Sequence, residues 1–101
     1  YILLALARDE RHGYAILQDV AARTDGAIRL SAGTLYRSIQ RMLEAGLIAE
    51  SRSRPAARFD DERRRYYRIT PFGTRVAEAE ARRLMGLVRL ARSQGLVPGR
   101  A

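Results

Sequence analysis

A helix start rich in small polar residues and arginine lies at residues 30–37, with the sequence Leu-Ser-Ala-Gly-Thr-Leu-Tyr-Arg. Ser31 can accept a hydrogen bond from a free backbone N–H, and Gly33 has no side chain to hold a ligand away from the backbone. Arg37 carries a planar guanidinium that forms paired hydrogen bonds with phosphate or guanine. This combination favours insertion of a helix end into a negatively charged groove.

The charge of the chain supports a polyanionic partner. All nineteen basic residues are arginine, and with eleven acidic residues they leave a net charge of +8 in 101 residues. Such a balance favours DNA, RNA or anionic lipid as the partner. A genome-wide composition bias explains the choice of arginine over lysine equally well, but it leaves the charge unchanged.

Composition also bounds the class of protein. The length fits one domain, and an apolar content of 47% lies above the disordered range. Because the chain has no Cys, disulfides and thiolate metal sites are excluded, and a reducing compartment is expected. The apolar residues 1–7 are too few to span a bilayer, and no signal peptide is visible, so we expect a cytoplasmic protein without membrane contact.

Hydrophobic periodicity and capping residues predict three helices, a hairpin and a fourth, long helix. Leu35, Ile39 and Met42 recur at i, i+4 and i+7, which predicts that one side of their helix faces a core. Glycines end the second and third helices, and Thr70-Pro71 is a typical helix start. The expected elements are the end of a buried helix at 1–7, a turn at 8–13, a helix at 14–24, at most a small strand at 27–30, a helix at 31–45, strands at 47–54 and 64–69 around a loop at 55–62, and a helix from Phe72 to about Arg92.

Three helices followed by a β-hairpin form a winged helix-turn-helix. We therefore expect a mainly α fold with a small β-hairpin, in which the long helix is an addition that mediates dimerisation. The expected domain organisation is a DNA-binding domain at 1–69, a C-terminal dimerisation helix at 70–93 and a flexible tail at 94–101.

At this point the chain resembles the PadR family of bacterial transcriptional regulators, in the short form with a single C-terminal helix. Five stretches carry the resemblance in the family's order and spacing: residues 2–6, 12–16, 33–37, 43–48 and 65–73. The resemblance implies a homodimeric winged helix-turn-helix repressor that binds near-palindromic operators in double-stranded DNA. It also implies a small-molecule effector, phenolic or cationic, that weakens DNA binding.

The helix at 31–45 is then the candidate recognition helix, whose N-terminal part reaches the major groove in this architecture. Arg37 is the expected base contact, because arginine paired with guanine is the commonest specific contact. The alternative is that Arg37 and Arg41 are only a solvated face. The family pattern favours phosphate contacts for Tyr36 and Tyr14, although each could instead be half-buried at a core edge. The expected DNA-binding residues in the helical part are Tyr14, Ser31, Gly33, Thr34, Tyr36, Arg37 and Arg41.

The wing at 52–65 is expected to contact the DNA backbone or a minor groove. Its candidate residues are Arg63, Arg64 and Arg65, with Arg58 across the loop. Asp60, Asp61 and Glu62 could neutralise them instead. His12 is the only histidine, and we interpret it as a turn or packing residue. The sequence shows no catalytic residues, metal ligands or cofactor motif, so we expect neither an enzyme nor a bound cofactor.

The long helix carries two offset apolar patches. Phe72, Val76 and Ala79 form the first patch and are expected to dock on the winged domain. The second patch, formed by Leu84, Leu87, Val88 and Ala91, then stays uncovered. An exposed apolar stripe usually marks an interface, so we expect dimerisation through this patch and the first segment. The expected interface residues are Leu3, Leu6, Leu84, Leu87, Val88 and Ala91.

The sequence thus predicts a DNA-binding transcriptional regulator. Two rival functions remain open. One is a winged-helix module that binds protein or RNA. The other is a small-molecule-binding protein with a cavity at the dimer interface, lined by Tyr1, Phe72 and residues 84–88.

Overall fold

A computed structural model of the chain describes residues 1–51 and 65–98. These residues form four helices and three strands. In chain order the elements are α1 (Ile2–Ala5), β1 (Arg11–His12), α2 (Gly13–Arg23), α3 (Ala32–Glu44), β2 (Ile48–Ser51), β3 (Tyr66–Ile69) and α4 (Pro71–Ser93). The mainly helical winged fold expected from the sequence is confirmed.

Side-chain caps begin the three longer helices. The Ser31 hydroxyl accepts the N–H of Thr34 at 3.1 Å, and the Thr70 hydroxyl accepts the N–H of Gly73 at 3.0 Å. His12 caps α2, because its Nδ1 accepts the N–H of Ala15 at 3.2 Å. At the other ends, Gly26 and Gly46 have φ of +81° and +78°, a conformation in which glycine is favoured.

The sheet has one strand more than the sequence indicated. β3 lies in the centre and pairs antiparallel with β1 and β2. Residues 8–13, expected to be a turn, contain β1, whose His12 pairs with Tyr66. Residues 27–30 form no strand. Of the expected hairpin the structure describes Ile48–Ser51 and Tyr66–Ile69, while residues 52–64 lie outside the described part.

A small apolar core joins the helices to the sheet. Its most completely buried large side chains are Leu6, Ile16, Leu35, Ile39, Ile48 and Val20. The α3 stripe is confirmed, with Leu35 at 0% and Ile39 at 2% exposure. The expectation that Leu6 contacts a partner is wrong: at 2% exposure it belongs to the core, whereas Leu4 is 55% exposed. Leu3 is half-buried against the core.

The start of α4 is fixed to the turn between α3 and β2. The Thr70 hydroxyl donates to the carbonyl oxygens of Gly46 and Leu47, at 2.6 and 3.0 Å. Gly73 is buried and Val76 half-buried, but Phe72 is 47% exposed and Ala79 is exposed. The docking patch therefore differs from the expected one, because Gly73 rather than Phe72 faces the domain.

Beyond its first turns α4 is largely exposed. Leu84, Met85, Leu87, Val88 and Leu90 are 43–65% exposed. Of the expected flexible tail at 94–101, residues 94–98 turn back on α4: the N–H of Leu96 donates to the Ala91 carbonyl at 2.9 Å, and Arg92 Nε donates to the Pro98 carbonyl at 3.1 Å. Residues 99–101 lie outside the described part. In residues 1–51 and 65–98, no helix is both long and apolar enough to cross a membrane.

Candidate nucleic-acid interface

The first turn of α3 presents an ordered, solvent-exposed polar surface. Ser31 and Thr34 are both exposed, and the Ser31 hydroxyl donates to the Thr34 hydroxyl at 3.0 Å while it caps the helix. Gly33 between them is exposed as well. The partial positive charge of a helix N-terminus favours an anion at this end. The exposed cap residues and the helix N-terminus therefore favour an anion such as phosphate at this turn.

Arg37 and Arg41 lie on the exposed face of the same helix. Arg37 Nη1 is 3.6 Å from the position that a Cβ on Gly33 would occupy, so the guanidinium lies along the first turn. Leu35 and Ile39, on the opposite face, hold α3 in the core. A rigid helix thus carries the guanidinium beside the cap residues.

Neither arginine of α3 forms an ion pair within residues 1–51 and 65–98. Other arginines in that part of the chain are engaged. Asp19 pairs with both Arg11, at 3.5 Å, and Arg23, at 2.5 Å, and Arg83 binds Glu80 through two hydrogen bonds. The guanidinium groups of α3 can therefore bind an external anion without first breaking an internal pair.

Arg29 is a basic residue of this region that sequence reasoning missed. It is exposed, lies two residues before the Ser31 cap, and forms no ion pair in the described residues. Its Nη2 approaches within 3.2 Å of the Cβ position of Gly26. The sequence could have identified Arg29 by its position just before a capped helix.

The two tyrosines differ in their surroundings. Tyr14, in the first turn of α2, is 62% exposed. Tyr36 is 46% exposed, and the tip of its ring lies against Gly13, the first residue of α2. The start of α2 and the second turn of α3 are thus in direct contact, which brings exposed Tyr14 close to α3.

On the wing side the structure describes Arg65, whose Nε lies 3.7 Å from the Glu50 carboxylate. This pair is exposed, so it contributes little to stability. Arg58, Arg63 and Arg64, and with them the acidic residues at 60–62, lie outside the described residues.

An open cavity of about 550 Å³ is lined by residues of α3 and of the β2–β3 pair. Its floor includes Tyr67, whose pKa is raised above its ordinary value by burial first and then by the nearby Glu50 and Tyr36, while Arg65 acts in the opposite direction. Sequence reasoning did not find this cavity because its walls come from three separate elements.

His12 is a packing residue, in agreement with its interpretation from the sequence as a turn or packing residue. Besides capping α2, its ring meets Tyr66 edge to face with 5.3 Å between centroids. In the part of the chain that the structure describes, no group of three or more His, Cys, Asp or Glu residues could hold a metal ion.

Comparison with known proteins places this arrangement in a family. Residues 2–79 match the family described as "Transcriptional regulator PadR-like family". The chain is 35% identical over 72 residues to an uncharacterized protein X of Lysinibacillus sphaericus; the match covers 71% of the chain and 63% of that relative. The chain thus spans less than two thirds of that relative's length.

Solved structures share the fold. A transcriptional regulator from Clostridium thermocellum superposes with a TM-score of 0.74 at 25% identity, over 91% of this chain and 86% of that one. A PadR family transcription regulator from Clostridium difficile gives a TM-score of 0.73 at 24% identity, over 91% of both chains. Because the family match extends over most of the sequence and the fold agrees, the chain belongs to the PadR-like family of transcriptional regulators.

Proposed function

We propose that this protein is a transcriptional repressor that binds a near-palindromic operator in double-stranded DNA as a homodimer. The observation that carries the proposal is the exposed face of α3, where Arg37 and Arg41 lie without ion pairs in the described residues, beside a capped first turn. Membership in a family of transcriptional regulators supports it. The proposal includes a cytoplasmic location, because operator DNA is found there.

In this proposal α3 enters the major groove with its N-terminal end, as recognition helices of this architecture do. Arg37 reads a base, and Arg41 and Arg29 contact phosphates. The cap hydroxyls of Ser31 and Thr34, the Gly33 backbone and Tyr14 position the helix on the DNA backbone, since phosphate contacts position a protein without reading sequence. The wing arginines Arg63, Arg64 and Arg65 are assigned to the backbone or the minor groove.

The exposed apolar face of α4 supports the homodimer. Leu84, Leu87 and Val88 are 46%, 51% and 43% exposed, and Ala91 is half-buried on the same face. Leu4 and Tyr1, at 55% and 62% exposure, extend the apolar surface at the other end of the chain. A two-fold dimer would place its recognition helices about 34 Å apart, one turn of DNA.

Selection of bound sequences from a random DNA pool tests the proposal. We expect a two-fold symmetric motif, because a symmetric dimer reads two identical half-sites. Affinity for that motif should fall with salt by about 0.9 log units per log unit for each phosphate neutralised. Recovery of no motif, together with a flat salt dependence, would refute the proposal. Stronger binding of structured RNA than of duplex DNA at equal salt would favour the RNA-binding alternative.

Replacing Arg37 by alanine is expected to reduce affinity for the selected duplex by roughly 5- to 150-fold for each half-site, the range typical of one paired arginine–guanine contact. Arg82→Ala is the matched control, because it removes the same charge from an exposed position in α4. We expect the control to change affinity less than about threefold, since a remote charge acts only through the screened field. Equal losses in the two variants, measured by fluorescence anisotropy, would remove Arg37 from the interface.

The salt dependence of the Arg37→Ala variant separates the two kinds of contact. If Arg37 reads a base, the variant keeps the wild-type salt slope. If it neutralises a phosphate, the salt dependence becomes shallower, and the magnitude of the slope decreases by about 0.9 for each half-site.

An effector that weakens DNA binding is part of the family-based proposal. Small phenolic and cationic compounds are the class to screen, with release of the selected duplex as the readout.

A further inference from the structure

Gly13 and Tyr36 form a close contact between the two helices of the helix-turn-helix. A Cβ added to Gly13 would overlap the Tyr36 hydroxyl and would lie 2.8 Å from Cζ and 3.1 Å from Cε1. Non-bonded carbon atoms pack best at about 3.5–4.0 Å. The Tyr36 ring therefore occupies the space that any side chain at position 13 would need.

Space, and not backbone conformation, accounts for glycine at this position. Gly13 is absent from the glycines with positive φ, which in the described residues are Gly26, Gly46 and Gly95. It is the first residue of α2, directly after the cap residue His12, a position whose backbone conformation does not require glycine. The backbone would accept an alanine here, and the contact with Tyr36 is what excludes it.

The contact joins the two parts of the proposed DNA surface. Gly13 is followed by exposed Tyr14, and Tyr36 is followed by exposed Arg37. The Tyr36 ring is 46% exposed, so a methyl group on residue 13 could push it toward solvent at little cost to the core. Loss of the contact would then loosen α3 against α2 without unfolding the domain.

We infer that Gly13 and Tyr36 form an interlock that sets the orientation of α3 on α2, and that Tyr36 is a positioning residue rather than a phosphate ligand. The inference rests on the DNA-binding function proposed above. The interlock holds Arg37 and Tyr14 at a fixed separation, so that both meet the same stretch of DNA. The tip of the Tyr36 ring carries this role, and the hydroxyl, although it lies nearest to Gly13, contributes no phosphate contact.

A double-mutant cycle on a 30-base-pair duplex carrying the selected sequence tests the inference. Gly13→Ala and Tyr36→Ala should each lower affinity at least about tenfold, and the double variant should be no more than about twofold worse than either. The Tyr36→Ala background is the matched control, because there the added methyl group meets empty space. Tyr36→Phe keeps the ring and should bind within about threefold of wild type.

Thermal unfolding by circular dichroism accompanies each measurement, and affinity is measured well below every melting temperature. Additive losses in the cycle would overturn the interlock. A Tyr36→Phe variant as weak as Tyr36→Ala would show that the hydroxyl binds phosphate. Lowered melting temperatures with unchanged affinity would show a role in stability alone. Failure of the wild type to bind DNA would overturn the proposed function and the positioning role together, whereas wild-type binding with an additive cycle overturns only the inference.

Discussion

Replacing Gly73 by alanine is expected to lower the free energy of unfolding by about 3 kcal/mol, the upper part of the range for overpacking. A Cβ at this position would overlap the carbonyl oxygen of Leu47 and lie 2.9 Å from Cγ1 of Ile69. The Leu47 oxygen belongs to the backbone and cannot swing aside as a side chain can. It is also held in place, because it accepts hydrogen bonds from the Thr70 hydroxyl and the Thr70 N–H.

Urea denaturation followed by circular dichroism measures this effect. Gly86→Ala in the same helix is the matched control, since a Cβ there meets nothing within 4 Å, and better helix propensity should leave the protein as stable as wild type or more so. A Gly73→Ala variant with wild-type stability would show that α4 can shift away from the α3–β2 turn at little cost.

The same close approach determines how α4 leaves the winged domain. The Thr70 cap, its hydrogen bonds to Gly46 and Leu47, and the buried Gly73 all act within the first turn of α4. If α4 mediates dimerisation, its direction sets the distance between the two recognition helices. A change at Gly73 that leaves the domain folded should therefore also alter the preferred spacing of half-sites.

Helix starts and the α3 stripe could be predicted from the sequence because they are local. Ser31 and Thr70 act on N–H groups three residues ahead, and Leu35 and Ile39 are separated by one helical turn. The short strand β1 could not be predicted, since two residues carry no periodicity and its partner β3 lies far along the chain.

The first apolar segment shows a related limit. Every residue at 1–7 is apolar, so the sequence does not indicate which side of α1 faces the core. The structure buries Leu6, a predicted interface residue, and exposes Leu4, so Leu4 replaces Leu6 as the candidate for an intermolecular contact.

The surroundings of each arginine are likewise a property of the tertiary structure. Arg11 and Arg37 are equivalent by composition, but Arg11 is tied to Asp19 and to the Ala5 carbonyl, whereas Arg37 has no ion pair in the described residues. The Gly13–Tyr36 contact is of the same kind. The pattern placed Tyr36 at the edge of a helix face, and only the packing of α3 on α2 shows what its ring touches.

Replacing Leu87 by aspartate is expected to raise the dissociation constant of the proposed homodimer at least about 100-fold, because it would place an unpaired charge in the proposed apolar interface. Leu87 is 51% exposed in the single chain and is flanked along α4 by the similarly exposed Leu84 and Val88. A side chain exposed to this extent contributes little to the fold of its own chain, so we expect the variant to remain folded as a monomer and to unfold cooperatively on heating. Sedimentation velocity across a concentration series measures the association.

DNA binding should weaken together with dimerisation. A dimer engages two half-sites at once, and a monomer loses the gain in effective concentration that the second contact provides, so affinity for the full palindrome should fall at least about 100-fold. Affinity for an isolated half-site should stay near that of the wild type, because α3 is untouched.

Leu96→Asp is the matched control: it makes the same exchange at a leucine that is 79% exposed in the turn after α4, and it should leave both association and DNA binding unchanged. If Leu87→Asp remains dimeric, the dimer interface lies elsewhere, and the exposed face of α4 needs another partner. If Leu87→Asp is monomeric but binds the full palindrome as tightly as wild type, the symmetric-dimer mechanism is wrong, although α3 still reads DNA.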